Sequence, residues 1–147
     1  MMKKRSFFCW LSALVVSGCS ASRPANLGVI NGMLAPCPSA PHCVSSQGEN
    51  ESRRMDPIPY ATSKTEARDK LLTILRSMKR TTIVSIEDDY LYAECRSALF
   101  RYVDDVEFFF DDDKKLIHFR SSSRLGYYDM GVNRRRMEKI REKFIGN

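Results

Sequence analysis

The sequence is short of the residues and patterns on which many enzymes are built. A serine nucleophile needs a positioned base, and only two histidines, His42 and His118, are available to serve as one. No Gly-x-Ser-x-Gly element marks a nucleophile elbow, and no glycine loop of the kind that cradles nucleotide phosphates is present. The run Asp111-Asp112-Asp113 lacks the spaced ligands and closing glutamate of a calcium loop, and reads as a solvated hairpin turn. Internal repeats and low-complexity blocks are missing as well. The apolar stretch Phe7 to Val16 is roughly half the twenty or so residues that a membrane-spanning helix requires.

What is present first is a leader. Lys3, Lys4 and Arg5 precede the short apolar stretch, and Val16-Ser17-Gly18-Cys19 follows it. A basic flank, a short apolar core and small residues running into a cysteine form the pattern of a bacterial lipoprotein signal peptide. The thiol takes a diacylglyceryl group, and cleavage then leaves Cys19 as the lipid-bearing N-terminus. Ser20 stands where an inner-membrane retention signal would place aspartate. The expected location is therefore the cell envelope, at the periplasmic face of the outer membrane in a two-membrane host. The expected segments are a leader over 1–18, a lipidated tether over 19–36 and a single domain over 37–147. Removing three basic residues and no acid lowers the formal charge from +6 to +3. That balance argues against nucleic acid as a partner. It leaves the membrane through the lipid on Cys19, and an anionic glycan, a lipid headgroup or an envelope protein. No cofactor is expected.

The cysteines divide by fate. Cys9 leaves with the leader and Cys19 carries lipid, so Cys37, Cys43 and Cys95 remain. Cys37 to Cys43 spans a short loop stiffened by Pro38 and Pro41, and an oxidising compartment favours a disulfide there. Zinc held with His42 is the alternative, but the usual cysteine spacing and a second cysteine pair are lacking. Cys95 reads as a buried free thiol.

The periodicity predicts one helix over Thr65 to Met78, started by a Ser63/Glu66 capping box and carrying Ala67, Leu71, Leu75 and Met78 on one face. It then switches to strands over Thr81 to Ile86, Tyr90 to Tyr102, Val106 to Phe110 and Leu116 to Ser122, with Asp104-Asp105 as a reversal. A second helix over Asn133 to Phe144 carries Met137, Ile140 and Phe144 inward. The expected fold is α+β, a four-stranded antiparallel meander flanked by an N-terminal and a C-terminal helix packed on one face.

The densest chemistry runs from Arg120 to Arg136. Arg120, Ser121, Ser123, Arg124, Asn133 and Arg134 form a candidate anion-accepting corner, where guanidinium forks and amides at a helix start suit carboxylate or phosphate. The same arginines have Asp104, Asp105, Glu107 and Asp129 within the chain as partners. An internal ion-pair network would thus explain them as well. The expected role is a non-catalytic binding or structural module, with no catalytic and no metal residues assigned. The alternative is a small hydrolase or transferase using Ser121 or Ser123, His118 and a carboxylate. His118 alternates with Ile117 and Phe119, which predicts an exposed ring. Tyr127 and Tyr128 either hold a glycan or lipid headgroup or pack in the core.

Several separate segments then match one known family in order. They are Cys37-Pro38 with Pro41-His42-Cys43-Val44-Ser45-Ser46, and Ala93-Glu94 through Val103-Asp104-Asp105-Val106-Glu107-Phe108. Arg120 to Gly126, and Asp129-x-Gly131-x-Asn133-Arg134-x-Arg136, complete the set. Together these resemble domain of unknown function 1499, found in bacteria and plastids, from Leu34 onward. His42 stands where asparagine is commoner, and Cys95 where an apolar or small residue is expected. The resemblance implies one domain over nearly all of the chain from Leu34 onward and no particular reaction, since the family has no established activity.

Overall fold

The computed structural model describes residues 21–146. The expected leader with Cys9, and Cys19, the expected lipid-attachment residue, lie outside the described residues. In chain order the elements are β1 (Val29–Ile30), β2 (Met33–Leu34), β3 (Cys43–Ser45), β4 (Ile58–Pro59), α1 (Lys64–Ser77), β5 (Thr81–Ile86), β6 (Tyr90–Arg96), β7 (Val103–Asp111), β8 (Leu116–Ser123) and α2 (Val132–Ile145). The fold is α+β with antiparallel sheets, as expected, and β5 to β8 form the expected meander. The sheet is larger than four strands, however. It has six, in the order β3-β8-β7-β6-β5 with β4 also on β8, and β1 and β2 make a separate two-stranded sheet.

The extra strands escaped the sequence pattern because they are two or three residues long, too short for alternation to register. Both are held by β8, which pairs Cys43 with Ser122 and Ile58 with Ile117. The expected reversal at Asp104-Asp105 lies instead inside β7, paired with Ser123 and Ser122. Strand β6 ends at Arg96, and residues 97–102 are the connecting loop, with Arg101 at φ 58°.

Helix α1 begins as its sequence dictates. The Ser63 hydroxyl accepts the Glu66 N–H, and the Glu66 carboxylate accepts the Ser63 N–H, so two otherwise orphaned donors are satisfied. Helix α2 starts at Gly131, which has no side chain to cap it. Asp129 does that work from two residues upstream, accepting the Gly131 and Asn133 amides at 2.9 Å each.

Both helices bury Leu71, Leu75, Met137 and Ile140 in one cluster with Leu91, Ala93, Val106, Phe108, Ile117 and Phe119 from a single face of the sheet. The opposite face is covered too. Residues expected to be a loose tether fold back over it, so that Leu34 packs with Tyr90 and Tyr92, flanked by Leu27, Val29 and Phe109. Asn31 and Gly32 make the turn of this strap at φ 52° and 74°. Positive φ at both central residues is what an Asn-Gly hairpin turn supplies.

Phe108 is wholly buried at the centre of the helix-side cluster. Phe108→Ala should therefore lower the unfolding free energy by about 3–5 kcal/mol, read from the midpoint of a denaturant melt.

Candidate functional site

Strand β8 carries most of the residues singled out for chemistry, and its alternation separates them. Ile117, Phe119, Ser121 and Ser123 face the helices, whereas His118, Arg120, Ser122 and Arg124 face the strap. Five of the six residues of the candidate corner, all but Arg134, thus belong to two polar groups on opposite sides of one sheet.

On the strap side, the carboxylates of Glu94, Asp105 and Glu107 each meet an arginine. Glu107, with no exposed surface, accepts Arg120 Nη1 at 2.9 Å, the Tyr90 hydroxyl at 2.9 Å and the Gly28 N–H at 2.8 Å. Arg120 is itself only 4% exposed, and its Nε has no partner among the described residues. Arg124 donates from Nε to both Asp105 oxygens at 3.1 and 3.0 Å, and from Nη2 to Asp105 at 2.7 Å and Glu94 at 2.6 Å. Its Nη1 reaches the Ala21 carbonyl at 3.3 Å. Arg23, from the start of the described chain, completes the group by donating to Glu94 at 3.0 Å. The electrostatics follow from this packing. Burial alone would raise the Glu94 carboxyl, but hydrogen bonds from Arg124 and Arg23 outweigh it and hold it down at about 2. The Asp105 hydrogen bonds push the Arg124 guanidinium above its ordinary value against the effect of burial. Burial, reinforced by Glu107 and Asp105 respectively, pushes the Tyr90 and Tyr92 hydroxyls up.

On the helix side, Asn133 is the centre and is fully buried. Its Oδ1 accepts the Ser121 hydroxyl at 2.5 Å and Arg136 Nη1 at 2.6 Å. Its Nδ2 lies 3.0 Å from the His42 carbonyl, 3.0 Å from Ser123 Oγ and 2.9 Å from Asp129. Arg136 also reaches Asp104 at 2.5 Å. The last corner residue, Arg134, lies apart and donates to the Ser52 carbonyl at 2.8 Å. It lines a cleft of about 290 Å³ with Pro41, Ser52, Arg53 and Tyr128.

His118 is turned away from Ser121 and Ser123, and it is half-buried rather than exposed. The serine that reaches it is Ser46, whose Oγ lies 3.3 Å from His118 Nδ1. Asp111 Oδ2 stands 3.9 Å from the other ring nitrogen, beyond hydrogen-bond reach. The Ser46 hydroxyl already accepts the Phe119 N–H at 2.8 Å, which ties β8 to the residue after β3. Burial lowers the His118 pKa, with Asp111 opposing. His118, Asp111, Asp113, Lys114 and Gln47 line an open cleft of about 610 Å³.

Cys37 and Cys43 form the expected disulfide, with both thiols of the zinc alternative consumed in it. Cys95 is a buried free thiol, and burial pushes its pKa up. Sequence reasoning missed Arg53, which grips the disulfide loop by donating to the carbonyls of Pro38, Ser39 and Ala40. It missed Arg23 and Gly28 as well, because their partners are 71 and 79 residues away.

Truncating Glu107 strands the Arg120 charge in a dry site. Glu107→Ala should cost about 3–5 kcal/mol, and the double replacement Glu107→Gln with Arg120→Met should recover part of that loss, both measured by equilibrium denaturation. Stability should also depend on acid in a defined direction. The folded-state value of Glu94 lies below its ordinary 4.5, so its contribution is complete above pH 4.5 and is lost as pH falls from there toward 2. Thermal melts across that window should show a falling midpoint, with a smaller drop in Glu94→Gln.

The family model described as Protein of unknown function (DUF1499) matches residues 33–144. No curated protein and no solved structure matches the chain. The matched span begins in β2 and ends in α2, and takes in the whole six-stranded sheet with both helices. The chain belongs to the DUF1499 family of proteins of unknown function.

Proposed function

We propose that this chain is a lipid-anchored protein of the cell envelope whose domain is a non-catalytic structural module. One observation carries the reading. Arg120 and Arg124, which looked suited to an external anion, are bound by the protein's own carboxylates, and the group is completed by Arg23, four residues after the expected lipid-attachment position. Charge on this face therefore serves to clamp the anchor-proximal chain to the sheet. Buried guanidiniums already paired with carboxylates have little capacity left for a ligand. The leader, with its small residues running into Cys19, supports attachment to the membrane and an envelope location.

The hydrolase reading has weaker support. Its serines and its histidine lie on opposite faces of β8, and the Ser46 that does meet His118 is engaged by a backbone amide. That row lacks a carboxylate within reach to orient the ring.

Protein recovered from membranes of its host should begin at an acylated Cys19 by intact mass, and Cys19→Ser should leave an unprocessed chain without lipid. A mature chain lacking acyl groups would refute the anchor. Arg124→Glu separates the two roles of the corner. A clamp predicts loss of the cooperative melt, whereas a folded variant that has lost affinity for an anion would restore the binding-site reading.

A further inference from the structure

Most of the large apolar residues left on the surface are gathered at one end of the molecule, with Ile30, Met33, Ile86 and Ile145 exposed elsewhere. Leu99, Phe100 and Tyr102 in the β6–β7 loop, and Tyr127, Tyr128 and Met130 between β8 and α2, are each between 50% and 78% exposed. The register places these two loops side by side. Arg96 pairs with Val103 at the mouth of the first loop, Asp104 pairs with Ser123, and the Arg124 N–H donates to the Val103 carbonyl as the second loop begins. Phe100 and Tyr102 stack on each other in the open, with ring centres 5.5 Å apart. Monomeric domains rarely leave so many large apolar side chains together in water without a use for them.

Charge is divided along the same axis. Around the apolar end stand exposed Lys79, Arg80, Arg101 and Arg135. Arg80 is fixed there because its carbonyl accepts the Arg96 N–H, and Arg135 because it reaches the Met130 carbonyl. The acids of that end are turned inward, Asp129 onto the first amides of α2 and Asp104 onto Arg136. The far end holds Glu87, Asp88 and Asp89 in the β5–β6 turn and Asp111, Asp112 and Asp113 at the β7–β8 turn, an acidic excess that Lys64, Arg68, Lys114 and Lys115 offset only in part by pairing with Asp88, Asp111 and Asp112. An anionic surface would attract the first end and repel the second.

The chain also enters the fold at the apolar end. Ala21 sits on Arg124 at the end of β8, and Arg23 sits on Glu94 near the end of β6. Cys19 is two residues upstream of Ala21, a covalent reach of at most about 7 Å. A lipid on Cys19 therefore has no long leash, and residues that a sequence reading assigns to a tether are spent on the sheet.

We infer that the 97–102 and 124–131 loops together form a membrane-docking surface, which seats the domain end-on on an anionic bilayer beside the lipid of Cys19. The inference rests on the anchor reading for its geometry, but the surface carries its own affinity. Tyrosine and phenylalanine rings suit the headgroup boundary, where an apolar body and a polar tip are both accommodated. The arginines and lysines around them meet lipid phosphates. The acidic turns and the open cleft at His118 then point away from the membrane.

The test uses the full chain, processed in its host and reconstituted into vesicles of phosphatidylethanolamine and phosphatidylglycerol with brominated acyl chains. The sequence has a single tryptophan, Trp10, in the leader, so an introduced tryptophan reports on the mature domain. Tyr128→Trp and, independently, Leu99→Trp should shift to the blue and lose emission to the bromines, more so as phosphatidylglycerol increases. Asp113→Trp, at the opposite end, should do neither. Any retained leader adds the same background to all three, so the contrast between ends survives. Intact mass judges acylation separately, so an unacylated chain with quenched Tyr128→Trp would sink the anchor and keep the docking surface. Equal emission from both ends would overturn the docking surface, whatever the acylation. Reporters unquenched by lipid yet shielded on adding envelope proteins would overturn it in favour of a protein partner.

Discussion

A carboxylate with no contact with water normally destabilises a fold, and Glu107 is such a group at the centre of β7. It is tolerated because three donors from three parts of the chain converge on it. Arg120 comes from the neighbouring strand, Tyr90 from the strand on the other side and the Gly28 amide from the strap. Removing any one would leave either an orphaned charge or an open face. The strap is thus a condition for the sheet's second face to be polar and dry together. Arg124, Asp105 and Glu94 repeat the arrangement one step along the strands, with Arg23 as the strap's contribution. Stability and the position of the N-terminal chain are consequently one property.

The two sides of the sheet use different chemistry for the same purpose. The helix side is an apolar cluster with a single polar node at Asn133, which binds the disulfide loop through the His42 carbonyl and α2 through Asp129. The strap side is a charge lattice with a few apolar contacts around Leu34. Ion pairs of this kind rarely add much net stability over an apolar interface of the same volume, but they define which geometry is allowed. Here they fix where the strap crosses the strands, and therefore the end at which Ala21 lies.

Local signals in the sequence carried the meander, both helices, the Ser63/Glu66 cap, the disulfide and the family. Each of these depends on residues close in the chain or on long periodic runs. β3 and β4 were illegible because their partners lie on β8, more than fifty residues away. The strap had one readable mark, the Asn31-Gly32 pair flanked by apolar residues, which signals a hairpin. It was masked by the small polar residues around it. The corner from Arg120 to Arg136 was readable as a set of paired charges but not as two sites. Strand parity alone separates Ser121 and Ser123 from Arg120 and Arg124, provided that β8 is known to run unbroken to Ser123.

The strap's long-range partners impose an order on how the molecule is made. Residues 21–34 are the first of the described chain to be synthesised, yet Glu94 and Glu107 follow them by some seventy to eighty positions. Closing so long a loop is entropically slow compared with forming local hairpins and helices. The meander and α1 can assemble among themselves while the strap waits, and it closes last over a finished sheet. The start of the described chain, where Ala21 and Arg23 find Arg124 and Glu94, is therefore the part of the nascent molecule that reaches its partners last.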